Sequence, residues 1–548
     1  MNARWVRPLT LLVCGIAVVR AAADPWMCDD AFISFRYADH LVEGAGLVWN
    51  PGERVEGITN LLWTLMVALF RMPGFDPVHS AAILCTVSFA MALWALYRLE
   101  TSRGRLPVAT WVFSLLPDVV IWAEGGLETM MFTAQALWMA ERLFSSTTAA
   151  RREWTAGILG GALLLIRPDG ALVAGVLGLA YAWMQPARVQ SALRVLAPIA
   201  AAQVAVTAFR LGYYGDWLPN TFYAKSAADA YWGQGVTYVG LLFARSPILG
   251  LLLLLWLVTR LSRPLKLDAD DALAITGLVF VAYVIRSGGD YMHARRLIPA
   301  VPMLLMAWTA PLSAVTGRVS RVAMVLACAA AVIPVPIFSL WGEEWGSSRR
   351  IGYITDEHGF WSDELLEHSK AQGADLQRVF GGLDARFFFE GGLCIVAYYS
   401  RLPVFIEGHG ITDKHIARQP LAERGRPGHE RIVDDAYLDE RGVQLKLVSK
   451  TYTGSLPYDV WELPQTQLFL RARYYDDVLA KSVLARGNVK LLTAETLLDV
   501  ANRELDRSTC DQARETVTKV GAFLRKPTPE LAARISELRT NAAARCPQ

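Results

Sequence analysis

A succession of apolar runs, each near the length that crosses a bilayer, fills the first 341 residues and restricts this chain to a polytopic helical membrane protein. Spans are expected near residues 8–24, 78–97, 107–123, 129–144, 154–167, 169–185, 195–211, 236–258, 271–286, 297–315 and 320–341, about eleven in all. Of the 548 residues, 53% are hydrophobic and 19% charged, the balance of a membrane body carrying a polar appendage. A net charge of +3 speaks against a nucleic-acid partner.

Charge then sets the expected topology. Arg4 and Arg7 precede the first run, Leu9–Ala23, in which Arg20 is the one charge, so the N-terminus belongs in the cytoplasm. The apolar stretch 61–72 is only about a dozen residues long and reads as a helix lying in the outer interface. If it does not cross, the inner loops hold Arg98, Arg103 and Arg105; Arg151 and Arg152; Arg188 and Arg194; Arg260, Arg263 and Lys266; and Arg318 and Arg321. Each is then basic, as inner loops are; if it crosses, the clusters from Arg98 onward face outward. With this topology residues 1–341 form the membrane domain and residues 342–548 an extracytoplasmic α/β domain. Strands are expected at Leu393–Tyr399, Val404–Glu407, Val443–Val448 and Asp459–Leu463. Helical periodicity runs from Cys510 to Leu524, breaks at Lys526-Pro527-Thr528-Pro529 and resumes to Ala544, which predicts a helical hairpin.

The unusual polar motifs all map to the outer side. Asp29 and Asp30 emerge just beyond the first span, where paired carboxylates are costly to keep without a use. Glu128 lies in GGLET, Arg167 and Asp169 in IRPDG, Tyr214 and Lys225 in YYGDWLPNTFYAK, and Asp290, Tyr291 and His293 in GGDYMHARR. Carboxylates, cations and tyrosines converging on one membrane surface suit a cavity for a polar, anionic-headed lipid. Each motif also has a plainer reading. Asp30 can pair with Arg36 and cap the helix after it. Arg167-Pro168-Asp169 can be a helix break with a local ion pair. Glu128 can cap the next span, Lys225 can snorkel, and Asp290 can be a turn residue. Shared sidedness is what favours function.

The segments DDAFISFRYADHLVEGAGLVWNPGERVEG, FRLGYYGDWLPNTFYAKSAADAYWGQGVTYV and GGDYMHARRLIPAVP resemble the mycobacterial terminal β-(1→2)-arabinofuranosyltransferases and their wider bacterial relatives, glycosyltransferases of the GT-C type. The resemblance covers most of residues 25–310. In the soluble half, LPVFIEGHGITDKHIAR and RPGHE resemble the outer domain of bacterial relatives. It implies a GT-C-like catalytic membrane domain at the bacterial cytoplasmic (inner) membrane, with its active site outside. The implied donor is a polyprenyl-phosphoryl sugar such as decaprenyl-phosphoryl-arabinofuranose, and the implied acceptor a cell-envelope polysaccharide or glycoconjugate. The catalytic acid pair carries over to Asp29 and Asp30.

Attack by an acceptor hydroxyl needs a base for its proton and a cation for the leaving phosphate. Asp30 is the first candidate base, with Asp29 as positioner or alternative. Arg36, Arg167 and Lys225 are candidates for the phosphate. Glu128, Asp169, Tyr214, Asp290, Tyr291 and His293 are candidates for sugar or acceptor hydroxyls. The paired acids can instead hold a divalent metal through oxygen ligands; no further ligand set is evident. His409, Asp413, His415 and His429 fit no zinc spacing and read as a hydrogen-bonded loop. The alternative function is a polytopic transporter of a lipid-linked or envelope saccharide, for which charges and broken helices belong at the midplane; here the charges gather at one edge. Of seven cysteines, Cys14, Cys85 and Cys328 lie in spans, Cys28 stands beside the acids and Cys394 opens an expected buried strand. Cys510 and Cys546 remain, at the two open ends of the hairpin, and are expected to form a disulfide.

Overall fold

The computed structural model describes residues 3–546 apart from 146–149, 263–266, 315–317, 347, 422, 449–456, 506 and 526. Arg263, Lys266 and Lys526, used in the sequence reading, lie outside the described residues, as do the side chains of Arg4 and Arg318. The chain divides into two compact units, one made of residues 1–363 and 420–430, the other of residues 364–419 and 431–548. The first unit therefore takes in residues 342–363, which the change in polarity assigned to the appendage, and it regains an eleven-residue segment from within the second.

The first unit is helical. Its elements are α1 (Ala3–Ala23), α2 (Ala31–Val42), α3 (Leu61–Arg71), α4 (Pro77–Thr101), α5 (Val108–Leu115), α6 (Pro117–Ile121), α7 (Thr129–Phe144), α8 (Ala150–Ile166), α9 (Gly170–Met184) and α10 (Arg188–Tyr214). There follow α11 (Asn220–Ala224), α12 (Trp232–Arg245), α13 (Pro247–Leu261), α14 (Ala269–Arg286), α15 (Ala300–Trp308), α16 (Ala310–Ala314), α17 (Arg318–Val332) and α18 (Ile337–Trp341). Among the described residues, the helices at Trp5–Ala23, Pro77–Thr101 and Arg188–Tyr214 are long and apolar enough to cross a membrane, and the bent pair α12–α13 makes a fourth if it counts as one span. Chain chemistry fixes the ends. Asp76 caps α4 by accepting from the Val78 and His79 amides, with Pro77 in the first turn, and Asp268 and Asp271 form a capping box on α14.

Ion pairs sort the loops into two ends. At one end Arg98 pairs with Glu141 at 2.8 Å, Arg103 and Arg105 both bind Asp270, Arg194 pairs with Glu153 at 3.0 Å, and Arg260 pairs with Asp271 at 2.8 Å. These are the basic loops of the sequence reading, and each arginine meets a carboxylate near a helix terminus. The other end gathers the start of α2, the 122–128 turn, the 167–169 turn and the 287–298 loop. Helix α3 is eleven residues long: Asn60 at its start binds Glu128 at that end, and Arg71 at its finish pairs with Asp39, in the last turn of α2, at 2.6 Å.

Several expected single spans are broken. The 107–123 span divides into α5 and α6 at Leu116-Pro117, where proline removes a helical donor. The 236–258 span is two helices meeting at 98° at Ser246-Pro247. Its first half, α12, stays with the polar end: Tyr231 before it donates its amide to Arg286 at 2.7 Å, and Arg245 at its finish pairs with Asp118 at 3.0 Å. Only α13 runs on to Arg260. Around 297–315 the chain forms a 3-10 turn (Arg295–Leu297) followed by α15 and α16, and the 320–341 span ends at Val332 before Pro334 and Pro336. Apolar run length does not register these proline breaks. A small antiparallel sheet, β1 (Glu343–Trp345), β2 (Ser348–Ile351) and β3 (Ile354–Thr355), closes the unit, with Thr355 bridged to Met292.

The second unit is built on a five-stranded mixed sheet. Its strands β4 (Phe387–Phe389), β5 (Phe405–Glu407), β6 (Leu445–Val448), β7 (Val460–Leu463) and β8 (Leu468–Ala472) stand in the order β5-β4-β6-β8-β7. β4 pairs in parallel with β5 and β6, whereas β8 is antiparallel to both neighbours. The strand expected at Leu393–Tyr399 is instead a helix, Cys394–Ser400, so Cys394 opens a helix. A short, wholly buried apolar run fits either element. Here the parallel β4–β5 pair requires a crossover, and this segment supplies it. Helices Cys510–Phe523 and Pro529–Arg545 close the chain, and Cys510 and Cys546 are disulfide-bonded with their Cα atoms 5.4 Å apart.

Candidate functional site

The polar end of the first unit is built around Glu128. The turn that carries it needs glycine: Gly126 has φ +69°, and a β-carbon there would lie 2.5 Å from the Met27 sulfur. That close approach, with the Cys28 amide donating to the Gly125 carbonyl at 3.2 Å, seats the Trp26–Asp30 segment against the turn. Glu128 is buried and accepts from Asn60 Nδ2 at 3.0 Å, Arg167 Nη1 at 3.1 Å and Arg295 Nη2 at 3.2 Å. Burial alone would raise its carboxyl; Arg295 and Arg167 outweigh that and hold it below the usual value. Arg167 also forks onto Asp169, from Nε at 3.0 Å and Nη2 at 2.8 Å. Asp169, likewise raised by burial, is lowered overall by Arg167 and Arg296. Arg295 stands 3.8 Å from Asp290.

Asp30 differs from these acids. It sits half-buried at the N-cap of α2, yet its side chain does not cap that helix, and among the described residues no hydrogen bond or ion pair reaches its carboxylate. Its negative charge acts on Cys28, Tyr291, Arg295 and Glu357. Asp29 is buried beside it.

A second group faces the same acids, and most of it escaped the sequence reading. Glu357, four percent exposed, accepts from Trp361 Nε1 at 2.8 Å and lies 3.5 Å from Arg426 Nη2. Burial pushes its carboxyl up to about 8, and the Asp30 and Asp290 charges add to the rise while Arg426 opposes it. Arg426 comes from the returning segment 420–430. Its guanidinium lies 4.2 Å over the Tyr291 ring, and His429 of the same segment meets that ring edge-on at 4.7 Å. Arg424 covers Tyr231 at 4.6 Å and is held by Glu430 at 2.8 Å. The Nε atoms of Arg295 and Arg426 are buried and donate to no described group. A lone Glu in EHGF and an Arg in GRPGHE carry no spacing signal; only the RPGHE resemblance pointed near Arg426.

Of the other expected residues, Asp290 and Tyr291 join the cluster. Asp290 also accepts the Tyr291 amide at 2.8 Å. Lys225 is exposed, with its Cε 3.4 Å from the position a β-carbon would take on Gly428, so it borders the returning segment. His293 is buried and turns to Asp118 at 3.5 Å, next to Arg245. Arg36 is buried, donates from Nε to the Trp49 carbonyl at 2.8 Å and stacks on that indole at 4.8 Å. Tyr214 is buried and donates to the Leu47 carbonyl at 3.0 Å. Both brace the 43–60 loop, which Arg210 further ties through Glu56. The four side chains weighed as a metal loop go separate ways: His409 accepts the Gly391 amide, Asp413 caps a helix and pairs with Arg441, His415 stacks on Tyr437, and His429 packs on Tyr291. Among the described residues no group of three or more His, Cys, Asp or Glu is placed to hold a metal ion.

No family model matches the chain. The terminal β-(1→2)-arabinofuranosyltransferase of Corynebacterium glutamicum is 30% identical over 383 residues, which make up 62% of this chain and 55% of that protein. The Mycobacterium tuberculosis protein of the same name is 30% identical over 330 residues, or 51% of each chain. The chain thus spans about half the length of the curated relatives it matches. The resemblance carried by the polar-loop motifs holds across a long alignment. The crystal structure of ArnT from Cupriavidus metallidurans bound to undecaprenyl phosphate superposes with a TM-score of 0.51, covering 86% of this chain and 98% of that one at 11% identity. The fold is accordingly of the GT-C glycosyltransferase type.

Proposed function

We propose that this protein is a membrane glycosyltransferase that moves a sugar, arabinofuranose on the strength of its relatives, from a polyprenyl-phosphate donor to a cell-envelope glycan on the extracytoplasmic face. The observation that carries the reading is Asp30, a carboxylate that no hydrogen bond or ion pair reaches among the described residues, near acids such as Glu128 and Asp169 that arginines neutralise. A base must be free to take a proton, and among the described residues nothing hydrogen-bonds or pairs with the Asp30 carboxylate. The acceptor hydroxyl loses its proton to Asp30 as its oxygen bonds to the anomeric carbon, and the carbon–oxygen bond to phosphate breaks. The lipid phosphate leaves toward cations. Arg167 is committed to Glu128 and Asp169, and Arg36 to Trp49, so the spare donors of Arg295 and Arg426, with exposed Lys225, suit this task better. Asp290 and Tyr291 line the sugar's side. The basic loops at the opposite end support a cytoplasmic position for that end and an outer one for the site.

The test is transfer by purified protein from synthetic decaprenyl-phosphoryl-arabinofuranose to an arabinan oligosaccharide, beside a nucleotide-sugar control. Turnover with the lipid donor alone is expected. Efficient transfer from the nucleotide sugar, or none from any lipid phosphate, would overturn the reading.

A further inference from the structure

Glu357 is the group the reaction above leaves unused. It is buried, it feels the charges of Asp30 and Asp290, and it contacts Arg426, whose buried Nε donates to no described group. A phosphodiester brings another negative charge to this place. A carboxylate on Glu357 would repel it and would hold the arginine that ought to receive it.

We propose that Glu357 works as a neutral carboxyl that admits the donor: protonated, it leaves the Arg426 guanidinium to the phosphate and offers its own O–H as a hydrogen-bond donor; ionised, it holds Arg426 and bars the lipid. This rests on the lipid-phosphate reading of the site. No covalent step is involved, since the proton stays on Glu357 while the donor is bound. The groups that interact with it are Arg426 from the returning segment, Asp30 and Cys28 from the first loop, Asp290 and Tyr291 from the 287–298 loop, and Trp361 on its own element, with His429 packed on Tyr291 and Arg295 beside Asp290. Burial keeps the Cys28 thiol and the Tyr291 phenol well above their usual values, so both stay protonated through mildly alkaline pH. Glu357 does not. With its carboxyl near 8, the neutral fraction falls from about nine-tenths at pH 7 to about one-thirtieth at pH 9.5, and apparent donor affinity falls with it, roughly 30-fold.

The experiment is binding of decaprenyl-phosphoryl-arabinofuranose to the full-length protein in detergent between pH 7 and 9.5. The probe is a phosphodiester and does not titrate in that range. Wild type is expected to weaken roughly 30-fold across it. Glu357→Gln, which stays neutral and keeps a donor, is expected to bind with a flat profile, and Arg426→Gln to bind weakly throughout. A flat wild-type profile overturns the proposal without any variant, and so does a Glu357→Gln profile parallel to wild type. Absence of binding by wild type even at pH 7 would instead overturn the donor reading itself.

Discussion

Substituting Asp30 and Glu128 separately divides catalysis from scaffolding, because the two carboxylates have opposite surroundings. Glu128 is buried and satisfies Asn60, Arg167 and Arg295 together. Removing it as Glu128→Ala takes the nearest carboxylate from the buried Arg295 and one of the two from Arg167, a loss expected to cost about 3–5 kcal/mol. Asp30 is half-buried, and among the described residues no hydrogen bond or ion pair reaches its carboxylate. Asp30→Asn keeps its shape, so stability should change by less than about 0.5 kcal/mol. A general base is worth about 100- to 10,000-fold in rate, so transfer should fall by that factor, or roughly 3–5 kcal/mol of barrier. The assay is turnover of decaprenyl-phosphoryl-arabinofuranose with thermal unfolding of the same detergent-solubilised preparations. Asp30→Asn should unfold with wild type and turn over slowly, whereas Glu128→Ala should unfold early. Near-normal turnover by Asp30→Asn removes it as the base, and early unfolding would mean that its carboxylate is structural.

Glu357→Gln should also alter stability, with a definite sign. The Glu357 carboxyl lies near 8 in the folded chain against an ordinary 4.5, so between those values the folded state holds a proton the unfolded chain releases, and stability from this group falls as pH rises through that window. The variant cannot ionise, so its melting temperature relative to wild type should climb from pH 5 to pH 8; a constant difference contradicts the burial argument. A reporter fused to the C-terminus should read out as extracytoplasmic, and a cytoplasmic readout would mean that α3 or α12 crosses after all. Cys510 and Cys546, 36 residues apart, should map as one disulfide-linked peptide pair before reduction, and their reduction should cost the second unit roughly 3–4 kcal/mol; two free thiols would refute the pairing.

What could be read from the sequence follows the range over which each signal acts. The sidedness expected from basic loops draws on the whole chain, and the structure seats several of those arginines on Glu141, Glu153, Asp270 and Asp271 near helix termini. Run length located α3 as a short helix yet passed over the 98° bend at Ser246-Pro247, because apolar content is the same on both sides of a proline. Asp30, Asp290 and Tyr291 were legible because charges beside apolar runs stand out. Arg36 and Tyr214 stood out equally and brace a loop, since sequence shows that a polar group is present and not which carbonyl it meets. Glu357 and Arg426 were silent because they come from polar stretches where one more charge is unremarkable; only folding puts them beside residues 290 and 291.

The returning segment has a further physical consequence. Its stretch Arg424-Gly425-Arg426-Pro427-Gly428-His429-Glu430 has almost no apolar surface to bury, so the hydrophobic effect contributes little to seating those residues. Ordering a backbone costs roughly 1–2 kcal/mol per residue, while a cation over an aromatic ring returns about 0.5–2 kcal/mol. Arg424 over Tyr231 and Arg426 over Tyr291 therefore offset only part of that cost, and Pro427 offsets a little more by restricting the unfolded chain. The rest has to come from charge: Glu430 on Arg424 within the segment, and Glu357 on Arg426 outside it. The segment's hold on the site thus depends on whether Arg426 has an anion to face. In the empty protein that anion is Glu357 when ionised. During transfer it is the lipid phosphate, and a neutral Glu357 is then what keeps the two from competing for one guanidinium.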